Sequence, residues 1–155
     1  MSRVSENLVH LGIKIPPTPK PVAAYVSARL CGEFIYASGQ TPTVEGELIY
    51  KGRVGQDISL EEGYQAARLA AVNCLAELES VLGDLERVAA IIKVNGYVRS
   101  ADGFGDQPKV INGASELLEA IFGEAGRHTR AALGVSELPG GAAVEIELIA
   151  QIKPG

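Results

Sequence analysis

The sequence is poor in the residues that build metal centres and disulfide frameworks. In 155 residues there are two histidines, His10 and His128, and two cysteines, Cys31 and Cys74. Two histidines are too few for a multi-histidine metal centre, and the cysteines show neither CxxC nor zinc-ligand spacing. One possible pair makes no disulfide framework, and free thiols fit a reducing cytosol, so a cytoplasmic protein is expected. Both cysteines are expected to pack as small hydrophobes. A basic excess is missing as well: 14 Lys and Arg stand against 19 Asp and Glu, a formal net charge of −5, with 5% aromatics. That balance argues against a nucleic-acid surface. Nowhere does an apolar run reach the ~18 residues of a membrane span. The first residues, Met1 to Asn7, turn polar at once, so no signal-peptide core is expected. The glycine-rich phosphate loops, the HExxH zinc motif and the GxSxG nucleophile elbow are all absent.

What is present is the make-up of a soluble globular domain, 46% hydrophobic and 21% charged. A chain of this length buries roughly 70% of its unfolded surface and needs no staples. It reads as a single domain over residues 1–155. Residues 1–21 supply an N-terminal helix or turn (Glu6 to Ile13) and a connector stiffened by Pro16, Pro17, Pro19 and Pro21. Tyr25–Leu30 and Phe34–Ser38 read as a hairpin turning at Cys31-Gly32-Glu33, with a weaker strand near Leu48–Tyr50. A helix is predicted over residues 60–82. Ser59 and Glu62 form its capping box, Tyr64, Ala67, Ala71, Cys74, Leu75, Leu78 and Val81 its apolar stripe, and Gly83 its stop. Residues 88–99 read as a strand with Ile92, Val94, Gly96 and Val98 inward. A second helix starts at Pro108 and buries Ile111, Leu118, Ile121 and Phe122. Strands over 129–135 and 143–152 close the chain, the last with Val144, Ile146, Leu148 and Ala150 on one face. This order implies an α+β fold, a mixed sheet with two helices packed on one face.

Two charges stand inside otherwise apolar strands, Arg130 and Glu147. A charge in a strand is costly to bury unless paired or solvated. If the last two strands form a hairpin with Val135 opposite Ala142, Arg130 lies opposite Glu147 on the same face. A guanidinium grips a carboxylate by two parallel hydrogen bonds, and a nearby carboxylate can orient and deprotonate a water. Together they can hold a small carboxylic acid and deliver water to the adjacent carbon. The alternative is a cross-strand ion pair worth about 0.2–1 kcal/mol. Glu145 shares the alternation and can equally be the site residue. Tyr25 can donate to a ligand from the start of the first strand, or simply be a half-buried strand tyrosine. His128 reads as a loop residue, and Gly123–Arg127 as a turn.

Four features in order carry a resemblance. They are Ala37-Ser38-Gly39-Gln40-Thr41-Pro42, its spacing from Tyr25, Thr129-Arg130-Ala131 through Leu138-Pro139, and Val144-Glu145-Ile146-Glu147-Leu148-Ile149-Ala150. Over roughly Pro21 to Ile152 the chain resembles the reactive intermediate deaminase family (RidA, YjgF-like). The resemblance implies a chorismate-mutase-like fold, a homotrimer with ligand clefts between subunits, and hydrolysis of enamines and imines such as 2-aminoacrylate to 2-keto acids and ammonia, with no metal or organic cofactor. It makes Arg130 the anchor of the substrate carboxylate and Glu147 the residue that positions water. Tyr25, Gly39 and Asn112 become cleft residues. Ala132 lies in the pocket where a cysteine is common, and His128 stands where proline is common. Extra residues at the N-terminus and around Gly105–Lys109 place the chain in a longer branch. The expected partner is a small carboxylate metabolite, with no membrane or nucleic acid. A non-catalytic keto-acid binding module, and RNA cleavage, are the competing readings.

Overall fold

The computed structural model describes residues 3–18 and 24–155. Helix α1 (Arg3–His10) buries Val4 and gives way to irregular chain that includes Pro16 and Pro17. Pro19 and Pro21 of the expected connector lie outside the described residues. Strands β1 (Ala28–Cys31) and β2 (Phe34–Gln40) form the expected hairpin around Gly32-Glu33. Tyr25 falls in a bend before β1 rather than in the strand. The weak third strand is half of a small separate hairpin, β3 (Thr43–Val44) with β4 (Glu47–Leu48).

Helix α2 (Leu60–Leu82) starts where its capping box predicts. Ser59 Oγ accepts from the Glu62 N–H at 3.1 Å, and the Glu62 carboxylate accepts from the Ser59 N–H at 3.1 Å. Its alanines 66, 67, 70 and 71 are fully buried, which lets the helix lie close to the sheet. The stripe departs from expectation in the last turn. Val81 is exposed, because Leu82, four residues beyond Leu78, takes the buried position. Strand β5 (Val88–Arg99) follows, then α3 (Gln107–Phe122), with Pro108 in its first turn and Ile111, Leu118, Ile121 and Phe122 buried as predicted. Strands β6 (Thr129–Val135) and β7 (Val144–Ile152) complete the chain.

The main sheet has the order β1-β2-β7-β5-β6, with β5 and β6 parallel and the other pairs antiparallel. Both long helices pack on one face, α2 over β2 and β7, α3 over β5 and β6. The fold is α+β, as expected. One expectation fails: β6 and β7 are not a hairpin. The chain leaves β5 through α3 and returns as a parallel edge strand, so β5 lies between the last two strands. A second correction concerns Ile92, which is half out of the core. A register shift between Ile91 and Lys93 hands the inward position to Ile91. Cys74 is buried, but Cys31, beside the turn, is exposed.

The two helices meet at Gly113. A methyl group on its Cα would collide with the carbonyl oxygen of Tyr64 on α2, a backbone atom that cannot rotate away. Gly113→Ala is therefore expected to cost about 3 kcal/mol through overpacking, read as a lower denaturant midpoint. Gly105→Ala, where a methyl meets nothing within 4 Å, serves as the control and should leave the midpoint nearly unchanged.

Candidate functional site

Strand register decides where the candidate residues point. Arg130 pairs with Val94 on β5, and Val94 pairs with Leu148 on β7. Val94 and Leu148 are buried under the helices, so Arg130 emerges on the helix face, at the sheet's edge. Glu147 pairs with Asn95, one row away, and its carboxylate lies on the opposite, uncovered face. Within one chain the structure does not bring Arg130 and Glu147 together. The hairpin register that would have done so is overturned by the position of β5.

On the helix face Arg130 is half-buried. Its Nη1 donates to Asn112 Oδ1 at 2.8 Å and to Ser115 Oγ at 3.1 Å. Asn112 and Ser115 stand three residues apart on α3, hence on one side of the helix. Arg130 and Asn112, each made a site residue by the resemblance, are thus in contact, and Ala132, two residues along β6, shares the face. Ser115 Oγ lies 2.9 Å from His128 Nε2, and His128 Nδ1 lies 2.7 Å from the Gly126 carbonyl. A carbonyl only accepts, so Nδ1 carries the proton and Nε2 accepts from the Ser115 hydroxyl. Burial, and then the charge of Arg130, push the His128 pKa down, against the Gly126 carbonyl and Glu119. These groups line a cavity of about 260 Å³ with Glu119 and Arg127. Glu119 is held by Arg127 at 3.0 Å. Among the described residues no carboxylate pairs with Arg130. Ser115 carried no signal in the sequence, since a serine in mid-helix has no motif around it.

The uncovered face carries the acids. Glu147 Oε1 accepts from the Tyr97 hydroxyl at 2.6 Å and from Asn95 Nδ2 at 3.2 Å. That bond, followed by burial, pushes the Tyr97 pKa up to about 12. Glu145 lies two residues back on the same face, half-buried, its pKa raised by burial and then by Glu147. Its carboxylate rests on Gly39, where a Cβ would stand 2.8 Å from Oε2. Predicted residue Gly39 therefore meets Glu145 rather than Glu147. Gly39 sits in a bulge: Ala37 pairs with Leu148 but Gln40 with Ile146, one extra residue on β2. Tyr25 is exposed, and among the described residues no hydrogen bond joins it to either cluster.

A third acid lies on the core side. Glu77 of α2 has no exposed surface, and neither carboxylate oxygen has a hydrogen bond of ordinary geometry. Burial pushes its pKa up to about 8, opposed in part by the Gln40 side chain. Glu77 is therefore protonated and neutral at neutral pH. Neighbouring Cys74 donates to the Ile146 carbonyl at 3.2 Å, and burial raises its thiol pKa well above the usual value. That is a packing thiol, as expected.

Comparison with known proteins agrees with this architecture. Residues 5–152 match the family model described as "YjgF/chorismate_mutase-like, putative endoribonuclease". The chain is 40% identical over 151 residues to Protein TCP17 of Trypanosoma cruzi, covering 97% of this chain and 94% of that protein. It is 27% identical over 146 residues to a 2-iminobutanoate/2-iminopropanoate deaminase of Dermatophagoides farinae, covering 91% and 95%. The crystal structure of Atu1372 from Agrobacterium tumefaciens, a protein of unknown function, superposes with a TM-score of 0.91 at 41% identity, over 97% of this chain and 93% of that one.

The buried acid gives a signed prediction. Its pKa is raised in the fold, so between about pH 4.5 and 8 the folded chain keeps a proton that the unfolded chain has released. Stability from this group is complete below pH 4.5 and is lost as pH rises through 8. Glu77→Gln should remove that loss. The variant should gain on the parent by roughly 3 kcal/mol between pH 5 and pH 8, measured by chemical denaturation at each pH. Glu145 and His128 also titrate, but their contributions are common to both proteins.

Proposed function

Because the chain belongs to the YjgF/chorismate-mutase-like family, we propose that it hydrolyses small 2-imino acids and their enamine tautomers to 2-keto acids and ammonia. One observation carries the reading. Arg130 is a half-buried cation, oriented by Asn112 and Ser115, facing a cavity and lacking a carboxylate partner among the described residues. An arginine held in this way is a ready anchor for a carboxylate brought by a ligand. The deaminase named in Dermatophagoides farinae, at 27% identity, supports the same reaction class.

The chemistry asked of the protein is mainly positioning. An enamine such as 2-aminoacrylate takes a proton on its methylene carbon and becomes an iminium. Water adds to the iminium carbon, a proton passes from oxygen to nitrogen, and ammonia leaves as the keto acid forms. Arg130 holds the carboxylate, and a glutamate orients and deprotonates the water. Glu145 suits that task better than Glu147. The support is that Glu147 Oε1 is taken by Tyr97 and Asn95, whereas Glu145 rests on the bare Cα of Gly39 with a raised pKa.

Arg130 and the glutamates lie on opposite faces of one sheet, so the reading requires a site shared between copies. A homotrimer with clefts between subunits satisfies it. Two features favour such an assembly. β6 is an open edge strand, and the uncovered face exposes Leu133 and Tyr36 over about half their surface, 52% and 46%. RNA cleavage has less support, since Arg53 and Arg99 are both tied to Glu137 at 2.6 and 3.0 Å and the net charge is −5.

The test generates 2-aminoacrylate in situ and follows pyruvate. The protein should accelerate its release. Arg130→Ala and Arg130→Lys should each lose about 100-fold or more, lysine having no planar fork. Glu145→Gln should also be nearly inactive. Arg130→Ala and Glu145→Gln subunits, unfolded together and refolded as a mixture, should regain about a quarter of the parent's rate, because a shared site then has an intact arginine and an intact glutamate in one case of four. No recovery rules out a site built from these two groups on neighbouring copies. No acceleration by the parent protein sinks the reading, and pyruvate binding without turnover leaves a binding module.

A further inference from the structure

The cavity beside Arg130 holds a second titratable group that the deaminase reading does not use. We propose that His128 and Ser115 belong to the anion site with Arg130, so that a small 2-oxo or 2-imino carboxylate and a proton on His128 bind cooperatively. The inference rests on the reading of Arg130 as the carboxylate anchor.

With the imidazole neutral, Arg130 donates to Ser115 Oγ, Ser115 donates to Nε2, and Nδ1 donates to the Gly126 carbonyl. The serine's only proton is then committed to histidine. When Nε2 is protonated that bond must reverse, because Nε2 becomes a donor. Ser115 Oγ now accepts from Arg130 and His128 together, and its own proton is released to point into the cavity. The protonated site thus offers a carboxylate the Arg130 fork, one more hydroxyl donor and a second positive charge. Empty, the same state is unfavourable, because two cations share one oxygen in a half-buried cavity.

The charged groups facing His128 agree. Arg130 faces it from β6 and disfavours its charge; Glu119 faces it from α3 and favours it, but is already paired with Arg127. A bound carboxylate supplies the compensating charge that Glu119 does not. By reciprocity, whatever affinity the proton adds for the acid, the acid adds for the proton. Over the range in which His128 titrates, the carboxylic acid stays ionised, so the coupling is not hidden by the ligand's own titration.

The chain has only two histidines, and His10, exposed at the end of α1, is an internal reference. Imidazole proton resonances of the whole protein are followed against pH, with and without saturating pyruvate. The His128 midpoint should rise by about half a unit or more on binding, and pyruvate should bind measurably tighter at pH 5.5 than at pH 7.5, a half-unit rise allowing at most about threefold. His128→Gln should bind pyruvate with no such pH dependence, and Arg130→Ala should not bind it. An unchanged His128 midpoint at saturation overturns the inference. So does the same pH dependence in His128→Gln, undiminished binding to Arg130→Ala, or no pyruvate binding at pH 5.5. Coupling without 2-aminoacrylate turnover keeps this inference and removes the deaminase; turnover without coupling does the reverse.

Discussion

The parallel pairing of β6 with β5 is the constraint on which the rest depends. It fixes Arg130 in the row of Val94 and Leu148, and that row faces the helices. In the middle of the sheet such a position would force the guanidinium into the apolar core, at a cost no isolated charge can meet. At the edge strand, α3 covers it only in part. Asn112 and Ser115 satisfy Nη1 with neutral oxygens, which orient the group without cancelling its charge. An edge strand, a polar pair on the covering helix and the lack of a paired acid among the described residues leave a half-buried arginine with its charge uncancelled, which is what the proposed anion site requires.

Much of this was legible in the residues, and the failures have a common cause. Features that act within one element were readable: the Ser59–Glu62 capping box, the Pro108 start of α3, and the alternation of Val144, Ile146, Leu148 and Ala150. Each follows from the period of a single helix or strand. Alternation says which residues of one strand share a face, but nothing about which strand lies next to it. Because β6 and β7 are separated only by a short connection, a hairpin was the economical reading, and it placed Arg130 opposite Glu147. The βαβ crossover through α3 puts β5 between them instead. The misplacement of Ile92 is the same failure on a smaller scale, since a bulge changes the phase of an otherwise sound alternation. Ser115 and Glu77 were invisible for another reason: their roles come from tertiary neighbours, not from their own helices.

The two faces of the sheet are chemically different, and the β2 bulge helps keep them so. At Ser38-Gly39-Gln40 the extra residue removes one strand pair and leaves a side-chain-free Cα on which Glu145 rests. Gln40 follows at once and opposes the raised pKa of Glu77 on the other side. One acid is thus half-exposed on the open face, and another is fully buried and neutral beneath it. Burial raises both, but only the exposed one can exchange protons with a ligand. Glu77 destabilises the fold as pH rises and makes no contact with the open face, so its influence on chemistry there runs through the packing of α2.

Separation of the cation from the acids across one sheet has a consequence for how the site is held apart at rest. Had Arg130 and Glu145 faced each other in one chain, they would have formed an ion pair, and a substrate carboxylate would have had to compete with it. On opposite faces neither neutralises the other. Each chain keeps on one side an arginine with no carboxylate partner among the described residues, and on the other side two glutamates, with burial and then the charge of Glu147 raising the pKa of Glu145. Assembly of copies that brings an edge strand of one to the open face of the next would join these halves only with a cleft between them. Under the proposed function, the ligand would then supply the negative charge that the arginine lacks, and the neighbour would supply the base. In this arrangement the polar network around His128 and Ser115 belongs wholly to the arginine half, so the proposed proton coupling would act on how the acid is held and would leave the delivery of water to the other subunit.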